Sequence, residues 1–94
     1  MTKKAKGETA ELIDAREITH GDFIATASLA QMFKTVARGS RNWDKLPPYR
    51  REALEQQFTK IARALEGDPA YPDHWNDNAG YADLCARDGR RRGA

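Results

Sequence analysis

The chain has 94 residues, of which 39% are hydrophobic and 32% are charged, with a formal net charge of +2. This length allows one domain with a modest core, so we expect a homo-oligomer, and the small net charge argues against a nucleic-acid polymer as partner. No apolar run is long enough to cross a membrane, and the single Cys85 excludes an intramolecular disulfide or a cysteine-rich zinc site, which favours a cytoplasmic protein.

Positive charge is concentrated at the two ends of the chain. Lysines are frequent before Glu8, and arginines are frequent after Ala86. We expect residues 1–7 and 89–94 to be disordered basic tails around a single helical domain at 8–88. The alternative is that the C-terminal arginines reach a phosphate-bearing ligand.

Two helices are predicted in the first half of the chain. The first runs from residue 8 to about 19, and His20-Gly21-Asp22 ends it, with Asp22 suited to the N-cap of the next helix at about 23–38. Leu12, Ile13 and Ile18 are the expected apolar contacts of the first helix. The second helix carries a clear stripe that we expect in the core, formed by Leu29, Met32, Phe33, Val36 and Ala37.

Two further helices are predicted after the loop at residues 39–47, whose Trp43 and Leu46 are expected to fold back onto the bundle. The third runs from about 48 to 66 and the fourth from 73 to about 87, with Gly89 ending it. The seam of the third helix consists of Leu54, Phe58, Ile61 and Leu65. No strand pattern is present, so the predicted fold is all-α, a small four-helix arrangement with short connections.

The fourth helix places two acids on an apolar background. Asp73 and Asp77 are four residues apart and therefore lie on the same side of the helix, near Tyr81. Trp75 begins a second apolar stripe on nearly the opposite side. Acids buried on such a helix need a cation, a metal or a hydrogen-bonding ligand as partner.

A second pair of acids, Glu52 and Glu55, lies on the third helix. One interpretation is a solvated face on which Glu52 pairs with Lys60. The other joins this pair to Asp73 and Asp77 on the neighbouring helix. Four carboxylates from two adjacent helices would form a site for Mg²⁺, which prefers carboxylates, water and substrate phosphates.

Several residues are candidates for binding an anionic ligand. His20 and Asp22 lie at the start of the second helix, and helix N-termini attract anions. Lys60 and Arg63 are suited to neutralising phosphate, although both could simply solvate their face. A wide pocket lined by Trp75, Tyr81 and arginines would favour ligand capture. His74 is a further candidate for ligand binding, with a helix cap or a local hydrogen bond as the alternative. No P-loop, catalytic-triad or dinucleotide motif is present.

Six blocks of the sequence resemble a family of small helical proteins found mostly in phages and prophages. The blocks are His-Gly-Asp-Phe at 20–23, Trp-Asp-Lys-Leu at 43–46, Arg-Glu-Ala-Leu-Glu at 51–55, Lys-Ile-Ala-Arg at 60–63, Gly-Asp-Pro at 67–69 and Asp-His-Trp…Asp…Ala-Gly-Tyr-Ala at 73–82. The resemblance implies a protein that acts in the cytoplasm of a bacterial host.

More distantly, the pattern is similar to the all-α nucleotide pyrophosphohydrolases of the MazG type. Those enzymes hold Mg²⁺ with a Glu-Glu-x-x-Glu motif followed by Glu-x-x-Asp. Here Glu52 and Glu55 match part of the first motif, with Arg51 in place of its first glutamate. Asp77 matches the end of the second motif, with His74 in place of its glutamate. The resemblance implies a nucleotide as ligand.

Three functions follow from these patterns. The first is a phage-type protein that captures a free or signalling nucleotide to counter host defence, without a cofactor. The second is a Mg²⁺-dependent pyrophosphohydrolase with Glu52, Glu55, Asp73 and Asp77 as ligands of the metal. The third is a purely structural helical oligomer whose acids pair with arginines across an interface.

Overall fold

A computed structural model describes the backbone of residues 3–93 and the side chains of residues 9–93. Within this range the chain forms four α-helices, a short 3₁₀ turn at Trp43–Lys45 and no strand. The helices are α1 (Lys3–His20), α2 (Phe23–Arg38), α3 (Pro48–Glu66) and α4 (Pro72–Arg92). The predicted all-α four-helix class is confirmed. No helix among the described residues is long and apolar enough to span a membrane.

Local sequence signals explain where α2 and α3 begin and end. The carboxylate of Asp22 accepts a hydrogen bond of 3.0 Å from the backbone N–H of Ala25, which confirms Asp22 as the N-cap of α2. Pro48 occupies the first turn of α3, where its missing N–H has no helical partner to lose. Gly39 and Gly67 follow the last residues of the two helices.

The outer ends of α1 and α4 extend beyond the predicted bounds. The backbone of α1 begins at Lys3, and the rest of the predicted N-terminal tail lies outside the described residues. The fourth helix continues through Gly89, which is buried, to Arg92. The guanidinium of Arg92 lies 5.6 Å from the ring centroid of Tyr49 on α3, so packing offsets the low helix propensity of glycine. Gly93, with φ of 73°, forms the actual C-cap.

The second, third and fourth helices form an antiparallel layer with α3 in the middle. Phe33 of α2 and Phe58 of α3 have ring centroids 6.3 Å apart. Gln57 of α3 donates a hydrogen bond of 3.1 Å to the backbone oxygen of Asn78 on α4. The buried apolar residues are small apart from one tryptophan: Ala30, Trp43, Ala53, Ala62 and Ala64. These alanines let the helices approach closely.

The 3₁₀ turn places Trp43 in this core, as predicted. Trp43 is buried and Leu46 is half-buried. The guanidinium of Arg51 donates hydrogen bonds to the backbone oxygens of Trp43, at 3.1 Å, and Asp44, at 2.9 Å. These bonds hold the connection between α2 and α3 against the start of α3.

The first helix joins this layer at a close crossing of two chain connections. The backbone N–H of Asp68 donates to the carbonyl oxygen of Thr19 at 3.0 Å. Gly21 has φ of 85°, and a Cβ at Gly67 would lie 2.4 Å from the Thr19 oxygen. Both positions therefore need glycine, Gly21 for its left-handed backbone and Gly67 for the close approach.

The predicted core is partly wrong, because several of its residues are exposed. Met32 and Val36 of α2 are 63% and 77% exposed, and Leu65 of α3 is 65% exposed. The cause is that α3 packs against the other side of α2, around Ala30 and Phe33, and no described element covers the remaining stripe. The predicted contacts of α1, Leu12, Ile13 and Ile18, are exposed as well.

Candidate binding groove

A groove of about 480 Å³ lies between α1 and the α2–α3 pair. It forms because α1 joins the layer near its C-terminal end and leaves a space beside α2. Its lining comprises Ile13, Arg16, Glu17, His20, Gly21, Phe23, Thr26, Ala27, Ala30, Gln31, Lys34, Thr59 and Arg63.

The lining combines an apolar wall with concentrated positive charge. Phe23, Ala27 and Ala30 recur at the spacing of one face of α2. Arg16, Lys34 and Arg63 contribute three cationic groups from three different helices, whereas Glu17 contributes the single carboxylate of this lining. Such a groove suits an organic anion with a flat or apolar part.

The guanidinium of Arg63 lies in crowded positive surroundings. Burial and the nearby charge of Arg16 lower the pKa of Arg63, and the carboxylate of Asp77 partly opposes this effect. An anion bound between the two guanidinium groups would relieve their mutual repulsion. The local electrostatics therefore favour a negatively charged ligand.

His20 closes one end of the groove at the last residue of α1. Its Nδ1 and the Thr19 hydroxyl are joined by a hydrogen bond of 2.5 Å. The pKa of His20 is lowered, first by burial and then by the charges of Arg16, Arg63, His74 and Lys60. These effects favour the neutral form of His20, and an anion in the groove would make the imidazole easier to protonate.

His74 is buried behind His20 and is outside the groove lining. Its Nε2–H donates a hydrogen bond of 2.7 Å to the carbonyl oxygen of Thr19. Its ring centroid is 5.0 Å from those of His20 and Tyr71, in edge-to-face arrangements. This hydrogen bond reaches a residue 55 positions away in sequence, so it is a long-range contact rather than the local one considered from the sequence.

The predicted metal-binding acids are held apart by different partners. Glu55 forms an ion pair with Arg38 of α2. Asp77 forms an ion pair of 2.8 Å with Lys60, and this hydrogen bond is the main cause of the lowered pKa of Asp77. Thus one acid is directed to the α2–α3 contact and the other to the α3–α4 contact.

Glu52 and Asp73, the remaining two acids of the predicted metal site, are exposed. Across residues 9–93 no three histidine, cysteine, aspartate or glutamate side chains come together in a way that could hold a metal ion. The four acids therefore do not converge on a common centre in the described structure. The magnesium-dependent reaction stays a prediction without a preformed ligand set.

The other predicted ligand-binding residues lie outside the groove lining. Asp22 caps α2. The Nε1–H of Trp75 donates a hydrogen bond of 2.6 Å to the backbone oxygen of Pro69. Tyr81 is half-buried on α4. The structure thus brings His20 and Arg63 of the predicted set together in the groove, with Lys60 close enough to His20 to affect its pKa.

Three residues of the groove lining were not predicted from the sequence: Arg16, Phe23 and Lys34. A usable signal was present, since Arg16 and His20 are four residues apart on one helix face. The proximity of that face to α2 depends on the turn at Gly21, which local patterns do not specify.

Comparisons of the chain with protein-family models, with curated proteins and with solved structures find no match.

Proposed function

We propose that this protein binds a nucleotide, or a nucleotide-derived small molecule, in the groove between α1 and the α2–α3 pair. The observation that carries the proposal is the lining itself, in which an apolar wall including Phe23 adjoins the cations Arg16, Lys34 and Arg63. A nucleotide has the matching parts, a flat base and negatively charged phosphates. The volume of about 480 Å³ lies within the usual range for small-molecule sites.

In this proposal the phosphates lie between Arg16 and Arg63, with His20 at their end of the groove. The base packs against the side chain of Phe23 and the neighbouring Ala27. Guanidinium groups suit phosphate because their planar donors pair with two oxygens at once.

Capture is favoured over hydrolysis by the state of the acids. Glu55 and Asp77 already neutralise Arg38 and Lys60, so a metal would have to displace two ion pairs. The sequence resemblance to phage proteins supports a role in removing a host signalling nucleotide, and hence a defence signal, from the bacterial cytoplasm. A pyrophosphohydrolase would be detected as Mg²⁺-dependent release of pyrophosphate that is lost in Asp77→Ala.

Isothermal titration against mono-, di- and cyclic nucleotides tests the binding proposal. We expect at least one nucleotide to bind, and Arg63→Met to weaken its binding about tenfold, which corresponds to roughly 1.4 kcal/mol. Arg41→Met is the matched control, because Arg41 lies in the exposed loop after α2. Absence of binding across the panel would overturn the proposal.

A second candidate function, that of a structural helical oligomer, is favoured by the exposed apolar side chains. Phe23, Ile24 and Val36 of α2 are each more than 70% exposed. If the protein is purely structural, assembly will be intact and no nucleotide will bind. Sedimentation analysis beside the titration separates this outcome from ligand capture.

A further inference from the structure

An apolar surface lies on the side of the α2–α3 pair that is opposite the groove. We call it the α2–α3 face and define it by Leu29, Met32, Val36, Leu54, Ile61 and Leu65. Three of these side chains are more than 60% exposed, and the other three are half-buried. The face accounts for most of the residues that the sequence pattern placed in the core.

Helix geometry separates this face from the groove. Ala30 of α2 and Ala62 of α3 are both buried, and Ala30 also borders the groove. At about 100° per residue, Lys34 lies roughly 40° to one side of Ala30, whereas Leu29 lies about 100° to the other. On α3, Arg63 and Ile61 flank Ala62 in the same opposed manner.

The six side chains that define the α2–α3 face are uncharged, and Arg50 lies one helical turn before Leu54, beyond the N-terminal end of the face on α3. The charged residues of α2 are Lys34, in the groove lining, and Arg38, which pairs with Glu55. On α3 between Leu54 and Leu65, the side chain of Glu55 is directed to Arg38 of α2. The two other charged side chains of this segment are also directed away from the face. Lys60 pairs with α4, and Arg63 lines the groove.

The chain also exposes more surface than a compact protein of its mass. Its accessible surface is 6821 Å² for 10.6 kDa. A folded monomer of this mass exposes about 5,500 Å² by the usual scaling. The excess of roughly 1,300 Å² exceeds the ~800 Å² that each partner buries in a standard interface. This excess belongs to the chain as a whole, which is elongated, with extents of 55 × 29 × 27 Å.

We propose that the α2–α3 face binds the same face of a second copy of this chain. In a two-fold dimer each patch meets itself, so a charged patch would meet its own charge. An uncharged apolar patch avoids that repulsion and removes its side chains from water. The groove lies on the opposite side of the helix pair and remains open in the dimer.

The proposal differs from an oligomer held together by acids and arginines. The ion pairs Arg38–Glu55 and Lys60–Asp77 are satisfied within one chain. Assembly through the α2–α3 face should therefore persist at high salt, whereas assembly through charge pairs weakens as salt screens them.

Sedimentation velocity over a concentration series tests the interface. We expect wild-type protein to sediment as a dimer, and Val36→Glu to raise the dissociation constant at least tenfold while far-ultraviolet circular dichroism stays helical. Val36→Thr, a smaller change, should weaken the dimer less. Leu12→Glu is the matched control, because Leu12 is 72% exposed on α1, outside the face.

Three outcomes would overturn the proposed interface. The first is a wild-type protein that stays monomeric throughout the series. The second is an assembly that Val36→Glu leaves unchanged. The third is an assembly that Leu12→Glu disrupts while both Val36 variants retain it, which would place the contact, with this chain or another partner, elsewhere.

Discussion

His74 and Thr19, 55 residues apart in sequence, are joined by a hydrogen bond of 2.7 Å between the imidazole Nε2 and the carbonyl oxygen. The Thr19 oxygen lies in the last turn of α1, where helical carbonyls lack partners within the helix. It also accepts a hydrogen bond from the backbone N–H of Asp68. Through these two bonds the start of α4 and the connection that precedes it fix the end of α1, and with it one end of the groove.

Replacement of His74 should therefore loosen α1. We expect His74→Leu to lower the free energy of unfolding by about 0.5–1.5 kcal/mol, the net contribution of one hydrogen bond, since the Thr19 oxygen keeps the Asp68 donor. Urea denaturation measures the loss. Asn76→Leu is the control, because Asn76 is exposed on the same helix and should change stability little. Equal effects of the two variants would contradict the structural role of His74.

The crossing of the two chain connections predicts opposite effects for two glycines. A Cβ at Gly67 would lie 2.4 Å from the Thr19 oxygen and 2.6 Å from the Gly21 nitrogen, so Gly67→Ala should destabilise the protein. A Cβ at Gly80, inside α4, meets no atom within 4 Å. Gly80→Ala should stabilise the protein by about 0.5–1 kcal/mol, because alanine has the higher helix propensity.

Thermal unfolding of both glycine variants checks this prediction. The informative quantity is the sign of the change in melting temperature of each variant relative to the wild-type protein. A Gly67→Ala variant as stable as Gly80→Ala would show that the connections do not approach each other as described.

The lowered pKa of His20 predicts acid sensitivity. The unfolded chain protonates this histidine near its ordinary pKa of about 6.5, whereas the folded chain protonates it only at lower pH. Between these two pKa values the unfolded state binds more protons than the folded state. The contribution of neutral His20 to the free energy of unfolding is therefore fully present above about pH 6.5 and is lost as the pH falls towards the folded-state pKa.

Unfolding measurements as a function of pH, on wild-type protein and His20→Asn, test this sign. The variant should lose less stability between neutral and mildly acidic pH. An identical pH dependence in both proteins would assign the acid sensitivity to other groups.

Nucleotide affinity should have the opposite dependence on pH. An anion in the groove favours the protonated form of His20, so binding takes up a proton and becomes tighter as the pH falls while the protein remains folded. Titration calorimetry in two buffers with different ionisation enthalpies measures this uptake. His20→Asn should bind with less proton uptake, and an unchanged uptake would place the phosphates away from His20.

The sequence predicted the helices well, because caps and breakers are local signals. Asp22, Pro48 and Gly67 mark helix ends that the structure reproduces. The predicted end of α4 at Gly89 was wrong, because this glycine is buried within the helix, and its burial depends on packing that the local sequence does not specify. Local patterns indicate the helix or turn propensity of a residue, and tertiary packing can override that propensity.

The core and the groove were harder to predict for one physical reason. Helical periodicity identifies an apolar stripe but not the neighbour that covers it, so Met32 and Val36 were indistinguishable from Phe33. The groove likewise depends on the angle at which α1 leaves Gly21. His20 and Arg63 were identified by their chemistry, whereas Arg16 became relevant through that angle.

Nucleotide binding in the groove is tested most directly by locating the bound nucleotide. Amide chemical shifts of isotopically labelled protein, recorded during titration with the tightest nucleotide of the panel, map the contact. If the nucleotide binds in the groove, we expect shifts at Arg16, His20, Ala27 and Arg63 and none along the α2–α3 face. Shifts confined to that face or to α4, with the groove amides unchanged, would contradict it.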